Sequence, residues 1–304
     1  MKNQVNLYFY RGKKLNFGDE LNTWMWPKLI DGVWDQGNDS IFLGIGSIIF
    51  DFFPSEKRKV VFGAGYGGYT QLPVIDKNWK FYFVRGKLTA KALGIDEKLG
   101  IGDAAILLRS CVKHKVEKKH KVSFMPHWGS TSEGNWELAC QYGSINYIDP
   151  CAPVEVVLEQ ILASELVITE AMHGAIVSDA LRVPWIPIQP LSSIHSMKWF
   201  DWASALDIDL KPSQINSSSL LEAVVLFFHE RNPKIADKFR RRGRFLLNVA
   251  PDTLAQRATE RLLAISRNDP PCLSSDTSIE RSHDQMLSKL DELIRDMGRG
   301  SLNY

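Results

Sequence analysis

The chain has 304 residues, 44% of them hydrophobic, and a formal net charge of +2. That length allows one large domain or two of ordinary size, each with a real core. The near balance of charge argues against a general nucleic-acid binder, and nine tryptophans are enough for some to line a binding surface.

Four cysteines (Cys111, Cys140, Cys151 and Cys272) are scattered without a C-x-x-C pair. They suggest neither a zinc site nor a disulfide framework, and they fit a reducing cytosol. The N-terminal stretch MKNQVNLYFYRGKK lacks the apolar region of a signal peptide. No run approaches the ~18 apolar residues of a membrane-spanning helix. The expectation is a cytoplasmic protein, at most peripheral at the cytoplasmic membrane face.

In chain order, Val5–Tyr10 reads as a strand. A polar turn follows, and a helix begins near Asp19 or Glu20, with Leu21, Trp24, Met25, Lys28 and Leu29 on one stripe. SIFLGIG, KVVFGAG and KFYFVRG are three further strands. KLTAKALG is a helix closed by Gly94, and LGIGDAAILL ends the half. Arg109–Lys121 is dense in positive charge and poor in large apolar groups. It reads as a linker, with 113–121 between the domains; a nucleic-acid patch is the other reading of such a run.

The second half repeats the alternation. KVSFMPHW is a strand and loop, TSEGNWELACQYG a helix, INYID a strand, and APVEVVLEQILAS a helix opened by Pro153. The strand Leu166–Ile168 turns into the helix GAIVSDALR, VPWIPI is a strand, and helices follow to about Ser266. Repeated strand–helix units predict parallel sheets covered by helices. The expected fold is α/β: two doubly wound, Rossmann-like domains facing a cleft, 1–112 and 122–266. Ligands of such sheets bind at the carboxyl ends of strands. A charged amphipathic tail, 267–304, places Ile279, Met286, Leu290, Leu293, Ile294 and Met297 at helical spacing.

Several residues at strand ends can carry chemistry. The glycine loops LGIGS (Leu43–Ser47) and FGAGYGG (Phe62–Gly68) can hold an anion on backbone amides or serve as tight turns. Neither has the full spacing of a dinucleotide fingerprint. Asn16 and Asp19 can bind sugar hydroxyls or cap a helix. Arg85 can fork onto a carboxylate or phosphate, or form a surface ion pair. His173 suits an acid near neutral pH or an anion ligand at a helix start, or a histidine satisfied locally. Glu170 can orient that ring, meet the substrate or cap the helix. Lys198 can meet a phosphate, and His195 lies beside it in sequence. Trp199, Phe200 and Trp202 read more naturally as core. Lys238–Leu247 (KFRRRGRFLL) is basic and amphipathic enough to touch anionic lipid, or it is a solvated helix face. No metal-ligand cluster is evident.

Taken in order, NFGDELN, LGIGSII, VFGAGYGG, VRGKLTAKALG, GDAAILL, TEAMHGAIVSDALRVPWIPI and HSMKWFDWASAL resemble the polysaccharide pyruvyl transferases, in particular the ketal-forming enzymes of bacterial exopolysaccharide assembly. The resemblance covers roughly residues 5–207. It implies a GT-B-like pair of domains, acceptor side first and donor side second. It implies transfer of pyruvate from phosphoenolpyruvate to a sugar, lipid-linked in many members, with release of phosphate and no cofactor or metal. By position, His173 matches the active-site histidine, Arg85 a cleft arginine, and Lys198 a lysine of the second domain. Glu170, Gly174 and His195 fall with them on the donor side. Asn16, Gly18 and Asp19 match the N-terminal motif on the acceptor side, near Trp24 and Trp26. Many members have an arginine two residues before the histidine; here that position is Ala171, and Arg85, Lys198 or Arg182 would have to supply the charge. Two rivals share the architecture: a nucleotide-sugar glycosyltransferase, and a non-catalytic protein of polysaccharide assembly.

Overall fold

The computed structural model describes residues 6–12, 14–30, 40–188 and 193–297, with the side chains of 193–196 outside that set. Val5 and the last seven residues, which the sequence assigned to a strand and to the tail, lie outside it too. The chain divides into two compact units. The first comprises residues 1–114, 197–210 and 274–304, and the second 115–196 and 211–273.

The first unit is built on a four-stranded parallel sheet: β1 (Asn6–Tyr8), β2 (Ser40–Leu43), β3 (Arg58–Phe62) and β4 (Trp79–Phe83), in that order. The strands are nearly continuous apolar runs because both faces are covered. Alternate residues feed two packings. Ile41, Leu43 and Val61 join Ile48, Ile49 and Val84 on one side. Phe42 and Phe62 stack at 5.9 Å on the other, with Trp26 edge-on to both. α1 (Phe17–Leu29) crosses from β1 towards β2, whereas residues 44–57 and 63–78 connect the later strands without a helix. The described sheet therefore runs in chain order with no reversal, and the doubly wound expectation does not hold for this half. α2 (Lys87–Leu93) and α3 (Leu108–Cys111) belong to the same unit.

The second unit also holds a four-stranded parallel sheet, but its order is β6-β5-β7-β8. The strands are β5 (Ser123–Met125), β6 (Asn146–Tyr147), β7 (Val167–Thr169) and β8 (Trp185–Pro187). Phe124, Ile168 and Ile186 are register partners. They point to one face, where α4 (Trp136–Tyr142) and α10 (Pro251–Asn268) bury them with Trp136, Ala255, Leu262 and Ile265. α5 (Val154–Leu162) links β6 to β7, and α6 (Met172–Ala180) links β7 to β8. The chain steps from β5 to one neighbour, β6, then returns to the other side at β7. The order thus reverses between β5 and β7, which makes a topological switch point there.

The structure corrects the predicted boundaries in two places. α7 (Ser193–Ala205) was placed in the second domain, but from Met197 onward it belongs to the first unit, where Trp199 and Trp202 are buried. The tail is one helix, α11 (Asp276–Asp296), also part of the first unit. Of its predicted stripe, Ile279, Met286, Leu290, Leu293 and Ile294 are buried, and Met297 is the half-buried C-cap. Ser282 Oγ donates to the Ile101 carbonyl at 2.9 Å, and the Tyr82 hydroxyl donates to Asp296 at 2.6 Å. An amphipathic helix needs a surface to cover, and this one covers its own chain. Part of the predicted linker is docked as well: the Lys118 ammonium donates to the carbonyls of Leu162 and Ser164 in the second unit.

α8 (Leu220–His229) and α9 (Pro233–Arg242) form a helical hairpin in the second unit. The basic stretch Lys238–Leu247 is not one helix. It ends at Arg242, a short turn follows over Arg244–Asn248, and Leu246 and Leu247 fold back onto Leu221, Val225 and Ala236. Among the described residues, no helix is long and apolar enough to cross a membrane.

Candidate functional site

At the carboxyl edge of the first sheet, α1 starts at Phe17 with Asn16 as its N-cap. The Asn16 amide donates to Asp19 Oδ2 at 2.7 Å, so the two predicted acceptor residues hold one another. Gly18 is buried within the first turn. Trp24 is half-buried, with the Lys28 ammonium 4.0 Å from its ring centroid. Trp26 departs from expectation. It is fully buried between Phe42 and Phe62, with its indole N–H donated to Asn22 Oδ1 at 3.0 Å, so it serves the core and cannot meet a sugar. The predicted stripe on α1 was rotated by one residue: Leu21, Asn22, Met25 and Trp26 face inward.

Asn22 is a positioning residue that the sequence reading passed over. Its Nδ2 donates to the carbonyls of Asp19 and Ile45, and its Oδ1 accepts from Ile45 N–H at 3.0 Å. A buried amide with this many partners ties the glycine loop after β2 to the first helix. Nothing local marks such an asparagine for this role, since Ile45, the residue it ties to the helix, lies 23 positions on.

Arg85 lies just beyond β4 and is fully buried. Its Nε donates to Asp201 Oδ2 at 2.9 Å, Nη1 to Ser47 Oγ at 2.5 Å and Nη2 to the Tyr66 carbonyl at 3.1 Å. A Cβ on Gly65 would overlap its guanidinium, which explains a bare backbone in the second glycine loop. Asp201 also accepts from the backbone and hydroxyl of Thr89. The geometry is that of a buried arginine held by a carboxylate of its own chain, in place of the surface ion pair that the sequence also allowed. Tyr69 stands at the same edge. Burial and the nearby Asp19 carboxylate push its phenol up, and the Arg85 charge pulls it back. Lys198, half-buried on α7, belongs to this unit rather than to the second domain where it was expected. The His195 side chain lies outside the described residues.

At the carboxyl edge of the second sheet, the switch point brings two loops together. The loop after β5 carries His127 and the one after β7 leads to His173. His173 is the second residue of α6, with Ala171 as N-cap. It is therefore inside the helix's first turn, where aligned peptide dipoles favour an anion. Glu170 is buried and clasps the two loops. Its N–H donates to the Met125 carbonyl at 3.0 Å. Its Oε2 accepts from His127 N–H at 2.8 Å and from the Ser130 hydroxyl at 2.7 Å. That is loop anchoring, in place of the helix cap weighed from sequence: α6 has Ala171 as its N-cap and no side-chain cap bond. His127 Nδ1 accepts the Gly129 N–H at 3.2 Å, which makes Nε2 the proton-bearing nitrogen of the neutral ring.

Gly174 is required by packing. A Cβ there would stand 2.5 Å from Thr169 Oγ1 and 2.8 Å from Met125 Sδ. Thr169 Oγ1 accepts the Ala171 N–H at 3.0 Å and lies 3.1 Å from the Met125 carbonyl and 3.0 Å from that of Ala171, between which its single proton is shared, stapling β7, β5 and the start of α6. Neither His127 nor Thr169 stood out in the sequence. His127 had a signal, its place just after a strand; Thr169 had none.

Behind this edge lies a second buried carboxylate, Glu222 of α8. It accepts from the Trp136 indole N–H at 2.9 Å and from the backbone and hydroxyl of Ser218. Burial, reinforced by the Glu170 charge, pushes it up to about 8. Glu133 is held by Arg240 at 2.7 Å. A pocket of about 390 Å³ adjoins the loop, lined by Thr131, Asn135, Trp136, Glu137, Gln141 and Tyr147 among others.

Comparison with known proteins agrees with these motifs. The sequence profile of the polysaccharide pyruvyl transferase family matches residues 2–192, a span holding Asn16, Arg85, His127, Glu170 and His173. A relative from Rhizobium meliloti (strain 1021), described as succinoglycan biosynthesis protein ExoV, is 34% identical over 313 aligned positions, covering 95% of this chain and 98% of the relative. A match of that extent, together with the family profile, shows that this protein belongs to the polysaccharide pyruvyl transferase family and is a pyruvyltransferase enzyme.

Proposed function

We propose that the protein transfers the pyruvyl group of phosphoenolpyruvate to two hydroxyls of one sugar, forming a ketal and releasing phosphate. The observation that carries the reading is the switch point of the second unit, where His127 and His173 follow adjacent parallel strands under one anchoring carboxylate, Glu170. An anionic donor suits that place, because strand carboxyl ends and the start of α6 both favour negative charge. In this reading His173 is the general acid. It protonates the methylene carbon of the enol phosphate, leaving an oxocarbenium-like centre at the adjacent carbon. A sugar hydroxyl attacks that centre and loses its proton. The C–O bond to phosphate then breaks, and a second hydroxyl closes the ketal. One hydroxyl proton restores the acid and the other leaves with phosphate. His127, with its proton on Nε2, donates a hydrogen bond to the donor's phosphate.

Lys198 and His195 remain donor ligands in this reading, while Arg85 is a positioning residue for the loops carrying Ser47 and Tyr66. The exposed polar groups at the first sheet's edge, with Asn16, Asp19 and Trp24, take the acceptor. The GT-B-like pairing of the two units is part of the same proposal. The relative's description as a succinoglycan biosynthesis protein supports an acceptor from exopolysaccharide assembly; in this reading that acceptor is lipid-linked and is met from the cytoplasm.

The test is calorimetric titration with phosphoenolpyruvate, against a uridine diphosphate sugar, followed by phosphate release with acceptor-bearing membrane extract. Saturable binding of phosphoenolpyruvate is expected. His173→Ala should retain that binding and lose ~10²–10⁴-fold in turnover. A preference for the nucleotide sugar would overturn phosphoenolpyruvate as the donor.

A further inference from the structure

The α8–α9 hairpin carries a surface to which the proposed chemistry assigns no role. The inner side of α9 packs Ala236 and Phe239 against Leu221, Val225 and Phe228. Its outer side exposes Lys234, Lys238, Arg241 and Arg242, spaced so that they share one helix face. Arg240 is not part of this stripe, being held by Glu133 and Asp237. From Phe227 to Val249 the chain has seven basic and two acidic side chains, although its overall charge is only +2. Aromatic rings lie at both ends of α9 in chain order. Phe227 is 54% exposed, with the Arg231 guanidinium 4.3 Å from its centroid. Phe245 is 67% exposed beside the exposed Arg244. A solvated helix face accounts for the lysines and arginines. It does not account for two large exposed rings, one against Arg231 and one next to Arg244 in sequence, that flank the helix.

We propose that this face docks on an anionic lipid bilayer, with the basic stripe among the phosphate headgroups and Phe227 and Phe245 entering the acyl boundary. Exposed aromatics joined to a cationic helix face are the pairing that interfacial binding requires: apolar area for insertion and charge for attraction. Charge complementarity selects the partner, and the rings select a bilayer over a soluble polyanion. The proposal goes beyond the chemistry of the reaction and stands whatever the donor is.

The experiment is co-sedimentation of the full chain with vesicles of phosphatidylglycerol and phosphatidylcholine in equal parts, against pure phosphatidylcholine. Binding to the anionic vesicles alone is expected, weakened by salt. Each basic residue at such a surface is worth about fivefold in partitioning. The triple variant Lys238→Gln, Arg241→Gln, Arg242→Gln should therefore lose about 100-fold. Phe227→Ser with Phe245→Ser should lower binding at unchanged charge. All five positions are exposed, and matching thermal melts would show that both variants remain folded. Equal binding to both vesicle types overturns the proposal, as does wild-type binding by either variant. Loss in the charge variant alone, with tighter binding to duplex DNA, would reassign the face to a soluble polyanion. Binding is read rather than turnover, so the result is separate from the fate of the pyruvyl-transfer reading.

Discussion

The Arg85 guanidinium and the Asp201 carboxylate meet at 2.9 Å with side-chain exposures of 0% and 1%. Thr89, Ser47 and Tyr66 complete the cluster. Asp201 stands on α7, so this pair ties that helix to the carboxyl edge of the first sheet. Removing one partner strands a buried charge, which costs about 3–5 kcal/mol. Asp201→Ala should lower unfolding stability by that order in urea titration. If it kept full stability and lost phosphoenolpyruvate binding instead, Arg85 would be a ligand rather than a structural arginine.

Glu170 accepts two hydrogen bonds from the loop after β5. Glu170→Ala leaves the buried Ser130 hydroxyl and the His127 N–H without that acceptor, at a cost of about 1–3 kcal/mol for an unmet buried group. Glu170→Gln retains an acceptor oxygen and should keep most of the stability and most of the turnover. Because Glu170 positions and does not transfer protons, the alanine variant should lose turnover with an unshifted pH profile. A profile displaced in both variants would show that the charge itself takes part.

Glu222 makes stability depend on pH. Its folded carboxyl is raised to about 8 by burial and then by the Glu170 charge, against hydrogen bonds from Ser218 and Trp136 that pull it down. Between the usual carboxylate range and pH 8 the folded protein therefore holds a proton that the unfolded chain has released. Its contribution is greatest below that range, declines as pH rises, and levels off above 8. Denaturant midpoints at pH 5.5, 7 and 9 should show a steeper fall for the wild type than for Glu222→Gln. The same slope in both proteins would mean that Glu222 is ionised throughout.

Much of the local architecture was legible in the sequence. The glycine-ended apolar runs became strands. The stripe Ile279, Met286, Leu290, Leu293 and Ile294 became the buried face of α11, and His173 fell at the strand-to-helix junction where it was expected. These follow from short-range periodicity and turn chemistry, which neighbouring residues determine among themselves. The tertiary structure alone decided what each apolar or charged group meets. Arg85 finds its carboxylate 116 positions later. Trp26, expected near the acceptor, enters an aromatic core. Glu170 turns from a capping candidate into the anchor of His127, and the β5–β7 reversal that joins the two histidine loops exists only in strand order. Periodicity states which face of an element must be covered and leaves open which element covers it. That choice is made by packing between segments far apart in the chain, and it determined the roles of Arg85, Glu170 and Glu222.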